Sequence, residues 1–195
     1  MGVLRLKMAT DPRWVNIVEK NPAEILTDHA WCEQKAASSA ISIIVGFPEF
    51  PEVVTEMAAL VREEMDHFSR VHEFIRQRGF VLGRERKDPY VNDLLAFVKK
   101  GVGRKELLVE KLLVGAMIEA RSCERFRILS ENIRDGELAS FYRELMESEA
   151  GHYTLFITLA RSVMPRDYVD ERWQQFLDYE ARIMENYGKG VTVHG

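Results

Sequence analysis

Two short words constrain this chain more than anything else in it: Glu64-Met65-Asp66-His67 and Glu149-Ala150-Gly151-His152. Each puts a carboxylate three residues before an imidazole, and on an α-helix residues three apart share a face. One metal ion can then take both side chains. Each word also has a glutamate upstream, Glu33 lying 31 residues before Glu64 and Glu119 lying 30 before Glu149. The two sets repeat at an offset of 85 or 86 residues. Glutamate fills 22 of 195 positions, so a given histidine has one three places earlier by chance roughly one time in nine. The pairs alone are therefore weak. The upstream glutamates, on segments that also read as helix, give the pattern its weight. His29, His72 and His194 follow Leu26, Ser69 and Val191 at that spacing and fall outside it.

Helical punctuation supports the reading. Asp11-Pro12 opens a short helix through Val18, and Asn21-Pro22 with Glu24 at the capping-box position opens a long one, ended by Gly46 and Pro48. Small residues, Ala36, Ala37 and Ala40, follow Glu33 on its face, leaving either a cavity or room for close helix packing. The next helix starts near Pro51, carries Met57, Leu60, Glu64, His67, Val71 and Phe74 on one face, and closes at Gly79. Asp88-Pro89 caps a shorter helix through Val98, and a third long helix runs from Arg104 to about Ile133 with Glu119 inward. Glu124 competes for the ligand role, but it sits about 140° around the helix from Glu119 and breaks the spacing. Asp135-Gly136 starts a fourth helix that Pro165 stops, Asp167 caps an outer helix to about residue 187, and the 188–195 tail reads as frayed. The expectation is one all-α domain over 1–195. It is a ferritin-like four-helix bundle made of hairpins 22–79 and 104–164, a long crossover 80–103, and extra N- and C-terminal helices.

Composition fits that class and excludes others. With 46% hydrophobic residues the chain can bury a sizeable core, and the longest apolar run, 40–47, is interrupted by Ser42 and Gly46 and is no membrane span. Residues 1–10 lack the apolar centre of a signal peptide, and Cys32 and Cys123 stand apart without metal-binding spacing. A cytoplasmic setting is the simplest inference. Charge is uneven: residues 76–105 carry a net +6 against −10 for the rest, although the whole chain is −4. Such a segment suits a polyanion, or simply forms a solvated connection.

Four carboxylates and two imidazoles are hard or borderline donors that suit iron or manganese. In the simplest arrangement Glu33 and His67 serve one metal, Glu119 and His152 serve the other, and Glu64 and Glu149 bridge. No phosphate loop, nucleophile elbow or Cys/His pairing offers another chemistry. The same six ligands could serve a rubrerythrin- or ferritin-like peroxidase or iron-handling protein, and a metal-free binding scaffold is a third reading.

The words around the ligands are more specific than their spacing. Asp28-His29-Ala30-Trp31-Cys32-Glu33-Gln34-Lys35-Ala36-Ala37, Arg62-Glu63-Glu64-Met65-Asp66-His67-Phe68, Glu119-Ala120-Arg121-Ser122-Cys123-Glu124-Arg125-Phe126 and Ser148-Glu149-Ala150-Gly151-His152-Tyr153 resemble the MiaE family. The resemblance runs from about residue 5 to 190. It implies an oxygen-dependent, non-haem di-iron monooxygenase that hydroxylates the isopentenyl side chain of 2-methylthio-isopentenyl-adenosine beside the tRNA anticodon. Its ligands fall on Glu33, Glu64, His67, Glu119, Glu149 and His152, with two iron ions as cofactor. The implied partners are tRNA, molecular oxygen and an electron-donor protein or reductase; no membrane is implied, and the chain is expected to act as a monomer. An acidic protein needs a local basic surface for tRNA. Arg84, Arg86, Lys87, Lys99, Lys100, Arg104 and Lys105 are the candidates, with Arg121, Arg125 and Arg127 as an extension.

Overall fold

In a computed structural model that describes residues 3–187 and 190–194, seven α-helices account for the regular structure apart from two short 3-10 turns, with no strand among the described residues. They are α1 (Trp14–Lys20), α2 (Pro22–Gly46), α3 (Pro51–Gln77), α4 (Pro89–Ala96), α5 (Arg104–Asn132), α6 (Gly136–Val163) and α7 (Arg166–Ile183). The boundaries follow the proline and glycine punctuation closely. Proline opens α2, α3 and α4, and Gly79 takes the left-handed conformation (φ +72°) just past α3. Asp88 caps α4 by accepting from the Val91 N–H, and Asp135 caps α6 by accepting from Glu137 and Leu138. Two caps differ from expectation. Asn21 makes no side-chain cap bond and Glu24 instead pairs with Arg86, while α7 begins at Arg166, one residue before Asp167, with Pro165 at the cap.

The chain forms two compact units. One comprises residues 20–87 and 191–193, and its body is the α2–α3 hairpin. Ile25, Leu26, Ala30, Ala37, Ala40 and Ile43 of α2 and Val53, Met57, Leu60, Val71 and Ile75 of α3 are buried. The strand-like run after α3 lies along α2: Trp31 Nε1 donates to Gly83 O at 2.9 Å, and Lys35 Nζ reaches Glu85 at 3.2 Å. The Val193 N–H donates to Asp28 Oδ2 at 2.7 Å. That bond, with Val193 1% exposed, corrects the frayed-tail reading for residues 190–194; residues 188, 189 and 195 lie outside the described residues.

The other unit is built on the α5–α6 hairpin, against which α4 and α7 pack. Nineteen of the 29 residues of α5 are buried, so it has no single solvent face. That burial takes in charged groups, and Glu110, Arg121, Glu124 and Arg125 are each paired or stacked. Arg121 donates to Glu180 Oε1 (2.9 Å from Nε), Glu124 Oε2 (3.0 Å) and Met8 O (3.0 Å), while Glu124 also accepts from Thr10 N and Oγ1 at 2.7 and 2.6 Å. Arg172 grips Glu110 with two bonds of 2.6 and 2.8 Å, donates to Phe97 O at 2.8 Å, and lies over the Phe97 ring. This fixes the end of the connecting segment to α5 and α7. His194, 3% exposed, donates from Nδ1 to Asp88 (2.8 Å), has Nε2 in a hydrogen bond with the Ser122 hydroxyl (3.0 Å), and stacks on Tyr90.

Two substitutions test this packing. A Cβ at Gly115 would lie 2.8 Å from Cζ of Phe156, so Gly115→Ala should cost about 1–3 kcal/mol in denaturant unfolding, with recovery when Phe156→Leu is added. Arg121→Leu removes the counter-ion of two buried carboxylates and should cost about 3–5 kcal/mol while the far-ultraviolet circular dichroism stays helical.

Candidate metal centre

In the α2–α3 unit, Glu33, Glu64 and His67 are 4%, 0% and 4% exposed. One potential ligand atom from each lies within 4.8 Å of the others. Glu64 and His67 share the buried face of α3 because they are three residues apart, and α2 brings Glu33 opposite them. His67 Nδ1 is 3.5 Å from Glu64 Oε2 and 3.7 Å from Glu33 Oε2.

The α5–α6 unit repeats the arrangement. Glu119, Glu149 and His152 are 4%, 1% and 4% exposed, and their ligand atoms also lie within 4.8 Å of one another. His152 Nδ1 is 3.4 Å from Glu149 Oε2. In both units it is Nδ1 that faces the carboxylate. Two ligands each about 2.1 Å from a shared ion stand roughly 3 to 4 Å apart. The separations of 3.4–3.7 Å fall in that range and exceed a hydrogen bond. Together with the all-oxygen-and-nitrogen donor set, they fit an iron- or manganese-type ion.

The rival donors are accounted for. Glu124 is committed to Arg121 and Thr10, so α5 offers Glu119. Burial, and then the Glu149 carboxylate, push the Cys123 thiol up to about 12; its Sγ donates to Met146 O at 3.3 Å, and it joins neither donor cluster. Ser122, His194 and Asp88 stand in the order of a nucleophilic triad, but Ser122 is 6% exposed in mid-helix, where backbone N–H groups are spent on the helix. They tie down the tail. His29, set aside by the spacing rule, is fully buried with Nε2 2.6 Å from Glu33 Oε1. Its position four residues before Glu33, on the same helical face, was the signal that could have found it.

The basic residues divide by environment. Arg84, Lys87, Lys100, Arg104 and Lys105 are exposed. Arg86 is exposed but shares Glu24, and Lys99 is half-buried with its ammonium on the Tyr168 hydroxyl at 3.2 Å. Arg121 and Arg125 are fully buried and cannot reach a phosphate, which corrects the proposed extension. Arg125 lies over the Trp14 ring at 4.3 Å, and burial followed by the neighbouring Arg121 pulls its pKa down to about 10. Arg127 pairs with Glu131 on the same helix.

A helical fold with these carboxylate and imidazole clusters belongs to the all-α, ferritin-like class. A solved structure, that of protein 43 with aldehyde deformylating oxygenase activity from Synechococcus, superposes with a TM-score of 0.90. It is 32% identical, and the match covers 97% of this chain and 95% of that one. The chain belongs to the MiaE family, described as tRNA-(MS(2)IO(6)A)-hydroxylase, whose pattern it matches over residues 3–195. Two relatives are named tRNA 2-(methylsulfanyl)-N(6)-isopentenyladenosine(37) hydroxylase. That of Pseudomonas putida is 37% identical over 78% of this chain and 73% of its own length. That of Salmonella typhimurium is 33% identical over 73% of this chain, a match that spans about half (52%) of the relative. No helix among the described residues is long and apolar enough to cross a membrane.

The Cys123 environment gives a simple check. In the folded protein Cys123 should escape iodoacetamide at pH 8, and in denaturant it should be alkylated, as read by peptide mass spectrometry.

Proposed function

We propose that the two buried triads complete one dinuclear iron centre in a single ferritin-like domain spanning 1–195, and that this chain is an oxygen-dependent tRNA hydroxylase. Its substrate is 2-methylthio-isopentenyl-adenosine beside the anticodon, hydroxylated on the isopentenyl side chain. One observation carries the reading: a buried glutamate plus Glu-x-x-His occurs twice, in a chain of the MiaE family. Glu33, Glu64 and His67 would hold one iron and Glu119, Glu149 and His152 the other. Iron bound there would supply oxygen activation, in which one atom of dioxygen enters a substrate C–H bond and the other leaves as water, on two electrons from a donor protein and two protons. The chain's own part is to hold six donors in an apolar setting and to keep bulk water from them. The protein works in the cytoplasm as a monomer. A peroxidase or iron-handling role is not favoured, since the relatives are named as hydroxylases.

The basic segment supplies the tRNA surface. Its exposed members Arg84, Lys87, Lys100, Arg104 and Lys105 contact phosphate, with Arg86 and Lys99 at its margin. Phosphate contacts position an RNA without reading its sequence.

Purified protein should hold about two irons per chain, and His67→Ala or Glu149→Ala should lower that number and abolish hydroxylation. The decisive assay supplies iron, an electron donor, oxygen-18 gas and modified tRNA. The label should enter the isopentenyl group; consumption without label, or turnover of peroxide or a fatty aldehyde with tRNA untouched, would refute the reading. Charge reversal of Arg84, Lys87, Lys100 and Lys105 to Glu should weaken binding to tRNAs of any sequence and flatten its salt dependence, with iron content unchanged. Wild-type affinity and salt slope in that variant would move the RNA surface elsewhere.

A further inference from the structure

His29 is no part of the repeated ligand pattern, yet it is completely buried one turn before Glu33 on α2. Its Nε2 stands 2.6 Å from Glu33 Oε1. A ring nitrogen and a carboxylate oxygen come this close with a proton between them, the nitrogen donating and the oxygen accepting. Oε1 is thereby engaged, and Oε2 is the atom that faces His67, 3.7 Å from Nδ1. The other half of the chain repeats the ligands but not this bond. Position 115 precedes Glu119 by four, as position 29 precedes Glu33, and it is glycine. The Phe156 ring occupies the space where a side chain at 115 would begin.

We propose that His29 is a positioning residue that holds Glu33 to ligation through one carboxylate oxygen at the ion served by Glu33 and His67. The inference rests on the six-residue metal centre proposed above. Hydrogen bonding from the imidazole fixes the carboxylate's rotamer and keeps Oε1 from closing a second bond to the same ion. Partners of this kind commonly change metal affinity about 10–100-fold when removed. The glycine at position 115 offers Glu119 no such bond, and the Phe156 ring stands there instead.

Cobalt(II) is the probe, because its visible absorption weakens as its coordination number rises. Wild type, His29→Gln and His29→Asn are compared by cobalt titration and visible spectroscopy, with thermal unfolding of the metal-free proteins as the check on folding. Glutamine can place its amide N–H near the position of Nε2 and still donate to Glu33. Asparagine reaches only as far as Nδ1 and cannot. Wild type should take about two ions per chain, and His29→Gln should follow it within about threefold. His29→Asn should bind one ion about 10–100-fold more weakly, with lower absorption from that ion and the other unchanged. Wild-type affinity and spectrum at both ions in His29→Asn would overturn the proposal, as would an equal loss in His29→Gln. A measurement on the metal-free wild type needs no variant: nitrogen-15 spectra should show the His29 proton on Nε2, and a proton on Nδ1 alone would also overturn it. Binding of fewer than two ions by the wild type would instead defeat the metal centre itself, independently of where the His29 proton lies.

Discussion

Burying a carboxylate is the constraint on which the rest of this structure depends. Glu33, Glu64, Glu119 and Glu149 are at most 4% exposed. An ionised carboxyl is tolerated in such a place only with compensating charge and hydrogen bonds. Elsewhere in the chain that compensation is supplied by arginine: Arg121 for Glu124 and Glu180, Arg172 for Glu110. The repeated triads have imidazoles in the corresponding place. Cationic side chains thus answer the structural acids, and groups able to bind a metal answer the others.

Helix geometry makes that division possible. A spacing of three sets Glu64 and His67, or Glu149 and His152, side by side on a buried face, and the short α2–α3 and α5–α6 turns bring Glu33 or Glu119 back along the partner helix. The two hairpins bury the same donor set in different surroundings. α3 is amphipathic, with Arg62, Glu63, Asp66 and Ser69 exposed around its buried stripe, whereas α5 is buried on nearly every side. An apolar α5 would meet that burial with packing alone; this one carries Glu110, Arg121, Glu124 and Arg125 and needs partners drawn from Thr10, α1 and α7.

What was legible in the sequence was local. Pro22, Pro51 and Pro89, Gly46 and Gly79, and the caps Asp88 and Asp135 placed the helix ends within a residue or two, because each acts through its own backbone or the next turn. The pairing of Glu64 with His67 and of Glu149 with His152 was legible for the same reason, since i, i+3 spacing survives in any helix; Glu33 and Glu119 were legible only through their matching upstream distances. What depended on distant partners was not. Arg121 and Arg125 look like surface cations until Glu180 and Trp14 are brought to them from 59 and 111 residues away. Arg86 counts toward a basic segment until Glu24 meets it. A charge tally gives the sign of a segment; it does not show which charges are already used within the fold.

The tail has a consequence for the order in which the protein can be assembled. Contacts within α2–α3 and within α5–α6 join residues close in sequence, and such hairpins can form while the chain is still emerging from a ribosome. The Val193–Asp28 bond closes a separation of 165 residues and the His194–Asp88 contact one of 106. Neither can exist until residues 193 and 194 have been synthesised. Through that interval Asp28, five residues before Glu33, lacks the backbone amide that later engages it. The segment leading to Glu33 thus acquires its final surroundings long after its own helix has been made.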